Sequence, residues 1–327
     1  MKKLFVSAAL LGLALRLAIM AGAEEALEEV FTSFSGGKTV EIVEVEREDE
    51  AVQTVLVAVR PETEDEALNI GEVRTPAVEE TTIVSELSIK NDTDIAIDTA
   101  ALLAEGINLD LSPGQPRILI IHTHGSEAYT KSAAYNYAES DPYRTEDCDY
   151  NVIKVGDVLT EKLRSYGLEV IHDRGIYDYP SYTGSYTRSG AAVESYLEQY
   201  PGIEIVIDLH RDAIGSGDTV YKTKAELGGQ SCAQVMLLVG TGANGLAHPE
   251  WQENMKLALR MQQAMDEAYP TLARPLAVKN ERYNQHLTTG SLILEVGSTG
   301  NTMEEALRAI ELFGDAVGEM LTEMARS

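Results

Sequence analysis

Short apolar runs alternate with longer amphipathic stretches in the second part of the chain. Five runs are rich in Ile, Leu and Val and short enough for buried strands, and four stretches carry apolar residues at helical spacing. The alternation predicts an α/β fold with a mostly parallel central sheet flanked by helices. The predicted strands are Ile118–His122, Glu169–His172, Ile203–Leu209, Val235–Val239 and Ser291–Val296, and the predicted helices are Asn151–Tyr166, Ser189–Gln199, Pro249–Tyr269 and Met303–Met324.

The first 80 residues follow a different pattern. Residues 1–23 join a Lys-Lys start to an apolar stretch that ends in Ala-Gly-Ala, which is typical of a signal peptide or membrane anchor. Residues 24–80 are rich in Asp and Glu and favour a linker or stalk, although Val40–Val45 and Val52–Val59 would also suit a small β element. We expect residues 81–327 to form the main domain, which the N-terminal segment would place on the extracytoplasmic side, either exported or attached to the membrane.

Charge and cysteine content exclude some classes of protein. The formal net charge is -27 and the pI is about 4.5, which argues against nucleic-acid binding, because such binding requires a basic surface. The two cysteines, Cys148 and Cys232, do not form a CxxC motif, which argues against a cysteine-built zinc site. Their spacing leaves open whether they pair.

Metal-type ligands follow two of the predicted strands. His124 and Glu127 come directly after the first strand in a His-x-x-Glu spacing, and His210 ends the third. Because the carboxyl ends of parallel strands meet at one edge of a sheet, these side chains are expected to lie together. Two imidazoles and a carboxylate make a three-ligand Zn²⁺ site with a position open for water. A site built from His122, His124 and His210 is the alternative, with His122 otherwise a donor to a ligand or a packed histidine.

Other polar residues lie near the same strand ends. Glu295 interrupts an apolar strand, where a carboxylate is costly without a partner, so we predict that it is the general base that activates water. A structural ion pair between Glu295 and Arg211 is the alternative, and Arg211 could instead bind a substrate carboxylate. Asn284 and His286 are candidates for substrate binding, and Tyr177–Tyr186 is predicted to be a loop that walls a cleft.

These segments resemble the stage II sporulation protein P family, a member of the broad group of zinc-dependent N-acetylmuramoyl-L-alanine amidases. The resemblance covers roughly residues 81–327. The segments that carry it are Ile118–Tyr129 (ILIIHTHGSEAY), Asn151–Asp157 (NVIKVGD), Asp208–Asp212 (DLHRD), Tyr283–Leu287 (YNQHL) and Gly290–Thr302 (GSLILEVGSTGNT).

The resemblance implies a peptidoglycan hydrolase that cuts the amide between the muramic acid lactyl group and L-alanine during septal thinning and engulfment. It also implies a second, endopeptidase activity on cross-links and two partners, a sporulation membrane protein and a glycan-cleaving enzyme. General amidases place their carboxylate ligand at the start of the first helix after the first histidine. That comparison makes Glu146, followed by Asp147 and Asp149, the alternatives to Glu127.

We therefore predict a zinc-dependent amidase in which His124, Glu127 and His210 bind Zn²⁺ and Glu295 is the base. A carboxypeptidase-like zinc peptidase would use the same set of residues. A wall-binding module that keeps the fold without turnover is the alternative outside the enzymes.

Overall fold

A computed structural model of the protein describes the backbone of residues 40–46, 53–59, 77–81, 88–216 and 219–326, and the side chains of residues 88–215 and 219–326. The chain divides into two compact units, Met1–Arg74 and Thr75–Ser327. The strands are β1 (Val40–Glu46), β2 (Gln53–Val59), β3 (Ala77–Thr81), β4 (Ile89–Asn91), β5 (Ile118–Ile121), β6 (Val170–His172), β7 (Ile205–Asp212), β8 (Gly215–Ser216), β9 (Thr219–Leu227), β10 (Gln230–Ala233), β11 (Val235–Gly240), β12 (Leu276–Lys279) and β13 (Gly290–Ser298). The helices are α1 (Thr99–Ala104), α2 (Val152–Ser165), α3 (Ser185–Gln199), α4 (Trp251–Ala268) and α5 (Met303–Met324), with a 3₁₀ turn at Gln285–Leu287.

The first unit contains an antiparallel pair, β1 and β2, in which Val40 lies opposite Val59. This pair lies within residues 24–80, for which the sequence favoured a linker or stalk and allowed a small β element as the alternative. The predicted signal or anchor, residues 1–23, lies outside the described residues. Within the part of the chain that the structure describes, no helix is long and apolar enough to cross a membrane.

The second unit is built on a mixed sheet. Among the described residues this sheet has seven strands in the order β4-β12-β11-β13-β7-β5-β6. Every neighbouring pair is parallel except β11 and β13. The prediction of an α/β fold with a mostly parallel sheet is therefore confirmed, while the single antiparallel pairing was not foreseen.

Alternate residues of the central strands pack on opposite faces of this sheet. Ile118 and Ile120 of β5 join the main hydrophobic core with α2, α4 and α5, whereas Leu119 and Ile121 pack with Val193 of α3. This is the period of two expected of a strand that is covered on both faces. The helices thus form a layer on each side of the sheet, with α3 on the face opposite the main core.

Local signals explain where the helices begin. The side chain of Asn151 accepts a hydrogen bond from the backbone of Ile153 at the start of α2. Thr302 and Glu305 form a reciprocal capping box at the start of α5. These side chains satisfy backbone N–H groups that have no partner in the first helical turn, and so they stabilise the helix ends.

A smaller sheet extends the second unit. Its strands pair in the order β10-β9-β3, and β8 pairs with β9. Because β3 pairs with β9, the second unit begins before the boundary that was predicted at residue 81. Cys148 is partly buried and Cys232 fully buried, and both are free thiols. The sequence left their pairing open, and the structure does not pair them.

All predicted strands and helices of the second unit are present, with ends that differ by a few residues. The prediction omitted α1, β3, β4, β8, β9, β10 and β12. It also began α3 at Ser189, whereas the helix starts at Ser185. The difference matters because the added turn contains Tyr186, which contacts the candidate site.

Candidate metal site

The first candidate ligand lies in a turn that follows β5. Residue Thr123 anchors this turn, because its backbone N and its Oγ1 donate to Asp208 of β7 at 2.8 and 2.6 Å. Gly125 lets the turn pass close to another loop, since a Cβ at this position would lie 2.8 Å from the carbonyl oxygen of Gly175. The chain therefore leaves the strand before His124, and the turn sets the direction of the imidazole.

His124, Glu127 and His210 lie together in the structure. Their potential ligand atoms are all within 4.8 Å of one another. Nδ1 of His124 is 3.7 Å from Oε1 of Glu127, and Nδ1 of His210 is 3.5 Å from Oε2. Tetrahedral Zn²⁺ with bonds of about 2.0–2.1 Å separates its ligand atoms by roughly 3.3 Å. The spacing and the chemistry of this donor set therefore fit a zinc ion.

Arginine side chains keep Glu127 ionised. The backbone N of Arg211 donates to Oε2 of Glu127 at 3.1 Å, and Nη1 of Arg211 lies 3.6 Å from Oε1. Nη2 of Arg144 lies 3.5 Å from the same Oε1. Burial alone would raise the pKa of Glu127, but Arg211 and the neighbouring His210 outweigh it and hold this pKa well below its usual value. Glu127 is thus a carboxylate, the form that a metal requires.

The guanidinium group of Arg211 is buried, and its remaining donors are directed to the backbone. Nε donates to the carbonyl of Ala128 at 2.9 Å, and Nη2 donates to the carbonyl of Tyr143 at 3.1 Å. This position suits a residue that holds Glu127 and its loop in place. It does not resemble the exposed fork expected of a residue that binds a substrate carboxylate.

The two histidines differ in their electrostatic surroundings. Burial lowers the pKa of His124 to about 3, so its ring is neutral. Burial alone would also lower the pKa of His210, but the carboxylates of Asp208 and Glu127 outweigh it and raise this pKa well above its ordinary value. Nε2 of His210 lies 2.9 Å from Oδ1 of Asp208, although off the axis of a full hydrogen bond. In the absence of a metal, a proton balances the charge of these carboxylates.

Glu295 lies beside His210, because β13 and β7 are parallel and these two residues are in register. Oε2 of Glu295 is shielded from solvent and has no hydrogen-bond partner among the described residues. Burial, together with the nearby carboxylate of Asp212, raises the pKa of Glu295 well above its usual value. A buried carboxyl oxygen without a partner is costly, and a water molecule at an adjacent metal would satisfy it. The alternative role of Glu295, an ion pair with Arg211, is not found among the described residues, because that guanidinium contacts Glu127.

His122 lies outside the group of candidate ligands. Its Nδ1 is 2.9 Å from the carbonyl oxygen of Leu209, and its Nε2 is 2.8 Å from Nε2 of His172. Nδ1 of His172 in turn lies 3.2 Å from Asp157. His122 is therefore a packed histidine behind the site, which is one of the two positions that the sequence allowed.

The other candidates also lie apart from the three-residue group. Asn284 donates to the backbone carbonyl of Tyr186 at 2.9 Å and to Oγ of Ser189 at 3.1 Å, so it attaches the 280s loop to α3. His286 is exposed on the 3₁₀ turn. The alternative carboxylates Glu146, Asp147 and Asp149 are likewise exposed. The structure thus groups Glu127 with the histidines and none of these acids.

Sequence reasoning did not identify Arg144, Asp178 and Tyr182, which surround the ligands. Arg144 forms an ion pair with Asp178, and Asp178 accepts hydrogen bonds from the backbone N and Oγ of Ser126 at 3.1 and 2.6 Å. The ring of Tyr182 stacks on the ring of His124 with centroids 4.5 Å apart. These residues come from loops distant in sequence, and the tyrosine-rich composition of Tyr177–Tyr186 was the one signal that pointed to them.

Two solved structures resemble part of the chain. One is the N-acetylmuramoyl-L-alanine amidase AmiC2 of Nostoc punctiforme, with 9% sequence identity, 65% of this chain and 99% of that chain covered, and a TM-score of 0.38. The other is the CwlD amidase from Clostridioides difficile in complex with the GerS lipoprotein, with 11% identity, 64% of this chain and 98% of that chain covered, and a TM-score of 0.40.

Comparison by sequence is more specific. A curated relative, "Stage II sporulation protein P" of Bacillus subtilis (strain 168), is 30% identical over a match of 218 residues that covers 62% of this chain. The match covers 50% of that relative, so the chain spans about half the length of the relative it matches. The model of the family described as Stage II sporulation protein P (SpoIIP) matches residues 28–318. The chain therefore belongs to the stage II sporulation protein P family.

Proposed function

We propose that this protein is a zinc-dependent peptidoglycan hydrolase that cleaves the amide between the N-acetylmuramoyl group and L-alanine during sporulation. The observation that carries the proposal is the grouping of His124, Glu127 and His210 beside a buried, unpartnered oxygen of Glu295. Membership of the stage II sporulation protein P family supports the cell wall as the substrate and sporulation as the process.

His124, Glu127 and His210 are the residues that would hold the zinc ion. Bound there, zinc would polarise the scissile carbonyl and favour the ionisation of water at neutral pH. Two further residues keep the ligands in position. Arg211 holds Glu127 ionised. Asp208 lies against Nε2 of His210, whereas Nδ1 of the same ring faces Glu127.

Glu295 accepts the proton of the attacking water. The carboxylate form is required for this step, and an adjacent cation would lower the pKa that burial and Asp212 raise. As the C–N bond breaks, the protonated Glu295 can return the proton to the departing amine of L-alanine. This accounts for a carboxyl group in an otherwise apolar strand.

The wider role follows from the family resemblance. The protein acts in septal thinning and engulfment, is exported and attaches to the membrane through its N-terminal segment. It works with a sporulation membrane protein and a glycan-cleaving enzyme, and it also cleaves peptide cross-links.

Mass spectrometry of digested sacculi tests the central reaction. The zinc-loaded protein is incubated with purified sacculi, and the soluble products are identified. We expect intact stem peptides with L-alanine at their amino terminus. Loss of a terminal residue alone would indicate a carboxypeptidase, and stoichiometric zinc without any product would indicate a wall-binding module.

A further inference from the structure

Two tyrosines stand out on the surface of the second unit. Tyr179 and Tyr182 have relative exposures of 46% and 41%, and they are the large hydrophobic side chains that are exposed among the residues whose burial the structure describes. They lie three residues apart in one loop. An apolar patch on an otherwise polar surface commonly marks a binding site, and aromatic rings give such a site a flat face.

This loop borders the candidate metal site. The ring of Tyr182 stacks on that of His124 at a centroid distance of 4.5 Å and an interplanar angle of 25°. The guanidinium carbon of Arg144 lies 5.1 Å from the centroid of the same tyrosine ring. Tyr182 therefore lies directly against one of the candidate ligands, which connects the exposed loop to the proposed reaction.

Hydrogen bonds hold the loop in a defined shape. Arg188 of α3 donates to the backbone carbonyls of Tyr177, Ser181 and Thr183, at 2.7 Å from Nε to Tyr177 and 2.9 Å from Nη1 to Thr183. At the base of the loop, buried Asp178 pairs with Arg144. One arginine thus bridges three carbonyls across the two tyrosines. The rings are presented by an organised loop, so little ordering is required when a ligand binds.

The proposed substrate extends on both sides of the scissile amide. The stem peptide carries carboxylates, whereas the glycan strand is an uncharged chain of pyranose rings once the lactyl group is in amide linkage. A pyranose presents a face of C–H bonds that matches an aromatic ring. Two cations that contact this loop, Arg144 and Arg188, are engaged with Asp178 and with backbone carbonyls. The exposed rings therefore favour the glycan over the peptide.

We infer that Tyr179 and Tyr182 form a platform on which the sugar rings of the glycan strand stack, which places the muramoyl amide at the metal site. The inference rests on the proposed amide hydrolysis and adds to it the part of the substrate that this loop recognises. Tyr182 contacts the sugar nearest to the amide, and Tyr179 contacts the strand further from it.

Soluble glycan strands freed of stem peptides provide the test. Their affinity for the zinc-loaded protein is measured by isothermal titration calorimetry for wild type, Tyr182→Ala, Tyr179→Ala and Tyr182→Phe. Loss of one stacked ring should weaken binding about tenfold. Tyr182→Phe keeps the ring and should remain within about twofold of wild type. With sacculi as substrate, Tyr182→Ala should raise KM more than it lowers kcat, and zinc content should not change.

Either of two results would overturn the proposed platform. The first is that the wild-type protein does not bind peptide-free glycan strands. The second is that the Tyr179→Ala/Tyr182→Ala double variant binds them as tightly as the wild type does. Tyr179→Ala guards against a folding defect, because this side chain is the more exposed of the two. A different result would contradict the proposed hydrolysis alone: the wild-type protein binds glycan strands but releases no stem peptides from sacculi. In that case, binding that is lost in Tyr182→Ala would still support the platform.

Discussion

Asp208 lies two residues before His210 on β7, and its Oδ1 is 2.9 Å from Nε2 of that histidine. The two side chains share a face of the strand, and the Asp208 carboxylate is fixed by two hydrogen bonds from Thr123. A carboxylate beside one ring nitrogen favours a proton there and leaves the other nitrogen available to a metal. The other nitrogen, Nδ1, is the one that lies 3.5 Å from Glu127.

Asp208→Asn should therefore weaken zinc binding by about 10- to 100-fold, the usual cost of losing a partner of a metal-bound histidine. Competition with a chromogenic chelator measures the affinity. Asp110→Asn is a matched control, because Asp110 pairs with Arg117 away from the site. Equal zinc affinity in the Asp208 variant and wild type would contradict the role assigned to Asp208.

Substitution of any one of the three candidate ligands should reduce the zinc content of the protein. His124→Ala, Glu127→Ala and His210→Ala each remove one donor of a three-ligand set, so purified protein should lose most of its bound zinc. Glu146→Ala and His122→Ala are the controls, since neither residue is part of the group. Atomic emission spectroscopy measures the zinc content of each purified variant and compares the ligand variants with the controls. Zinc lost from Glu146→Ala but kept in Glu127→Ala would move the carboxylate ligand to Glu146.

Glu295→Gln should remove activity and leave zinc bound. The amide matches the carboxyl group in shape but cannot accept a proton, and general-base catalysis contributes about 10²- to 10⁴-fold. Release of stem peptides from sacculi and zinc content are measured on the same sample. Near-wild-type release would show that another group activates the water.

Zinc affinity should increase with pH because of His210. The pKa of His210 is higher in the folded apoprotein than in the unfolded chain, where it is about 6.5. The protonated ring therefore stabilises the folded protein fully below about pH 6.5. That stabilisation is lost as the pH rises through the pKa of the folded state. Zinc requires the neutral ring and must displace the proton. Calorimetry at pH 7 in buffers of different ionisation enthalpy should therefore detect proton release. An affinity that does not change with pH would contradict this assignment.

Gly156→Ala should destabilise the second unit. A Cβ on this residue of α2 would lie 2.6 Å from Nε2 of both His122 and His172, which are held against each other. Overpacking of this kind costs about 1–3 kcal/mol, more than the gain from replacing a helical glycine. Gly106→Ala is the control, because a Cβ at that position would meet no atom of the described residues within 4 Å. Urea denaturation compares the free energies of unfolding, and a stability of Gly156→Ala equal to wild type would contradict the prediction.

Much of the fold could be predicted because its signals are local. Buried strands such as β5 and β7 are continuous apolar runs, and α2 and α5 combine helical periodicity with capping residues next to them in sequence. The strands of the smaller sheet were missed. β9 is only partly buried along most of its length, so its pattern of apolar residues is weak.

Parts of the candidate site could also be predicted from sequence. His124 and His210 follow or end apolar strands, and parallel strands bring such positions to one edge. Glu127 was preferred to Glu146 because it is close to His124 in sequence, but the position of the carboxylate depends on which loop folds back toward β7. The contacts of Arg211 with Glu127, Ala128 and Tyr143 hold that loop in place.

Local sequence patterns were sufficient to predict the α/β class, the order of the main elements, the family and the candidate metal ligands, because each depends on neighbouring residues or on the ends of strands. Tertiary structure alone decided the antiparallel pairing of β11 with β13, the position of His122 behind the site and the place of Tyr182 over His124. These features depend on contacts between residues far apart in the chain. They are stabilised by packing and by charge interactions that form only in the folded state, and a local sequence pattern does not predict such interactions.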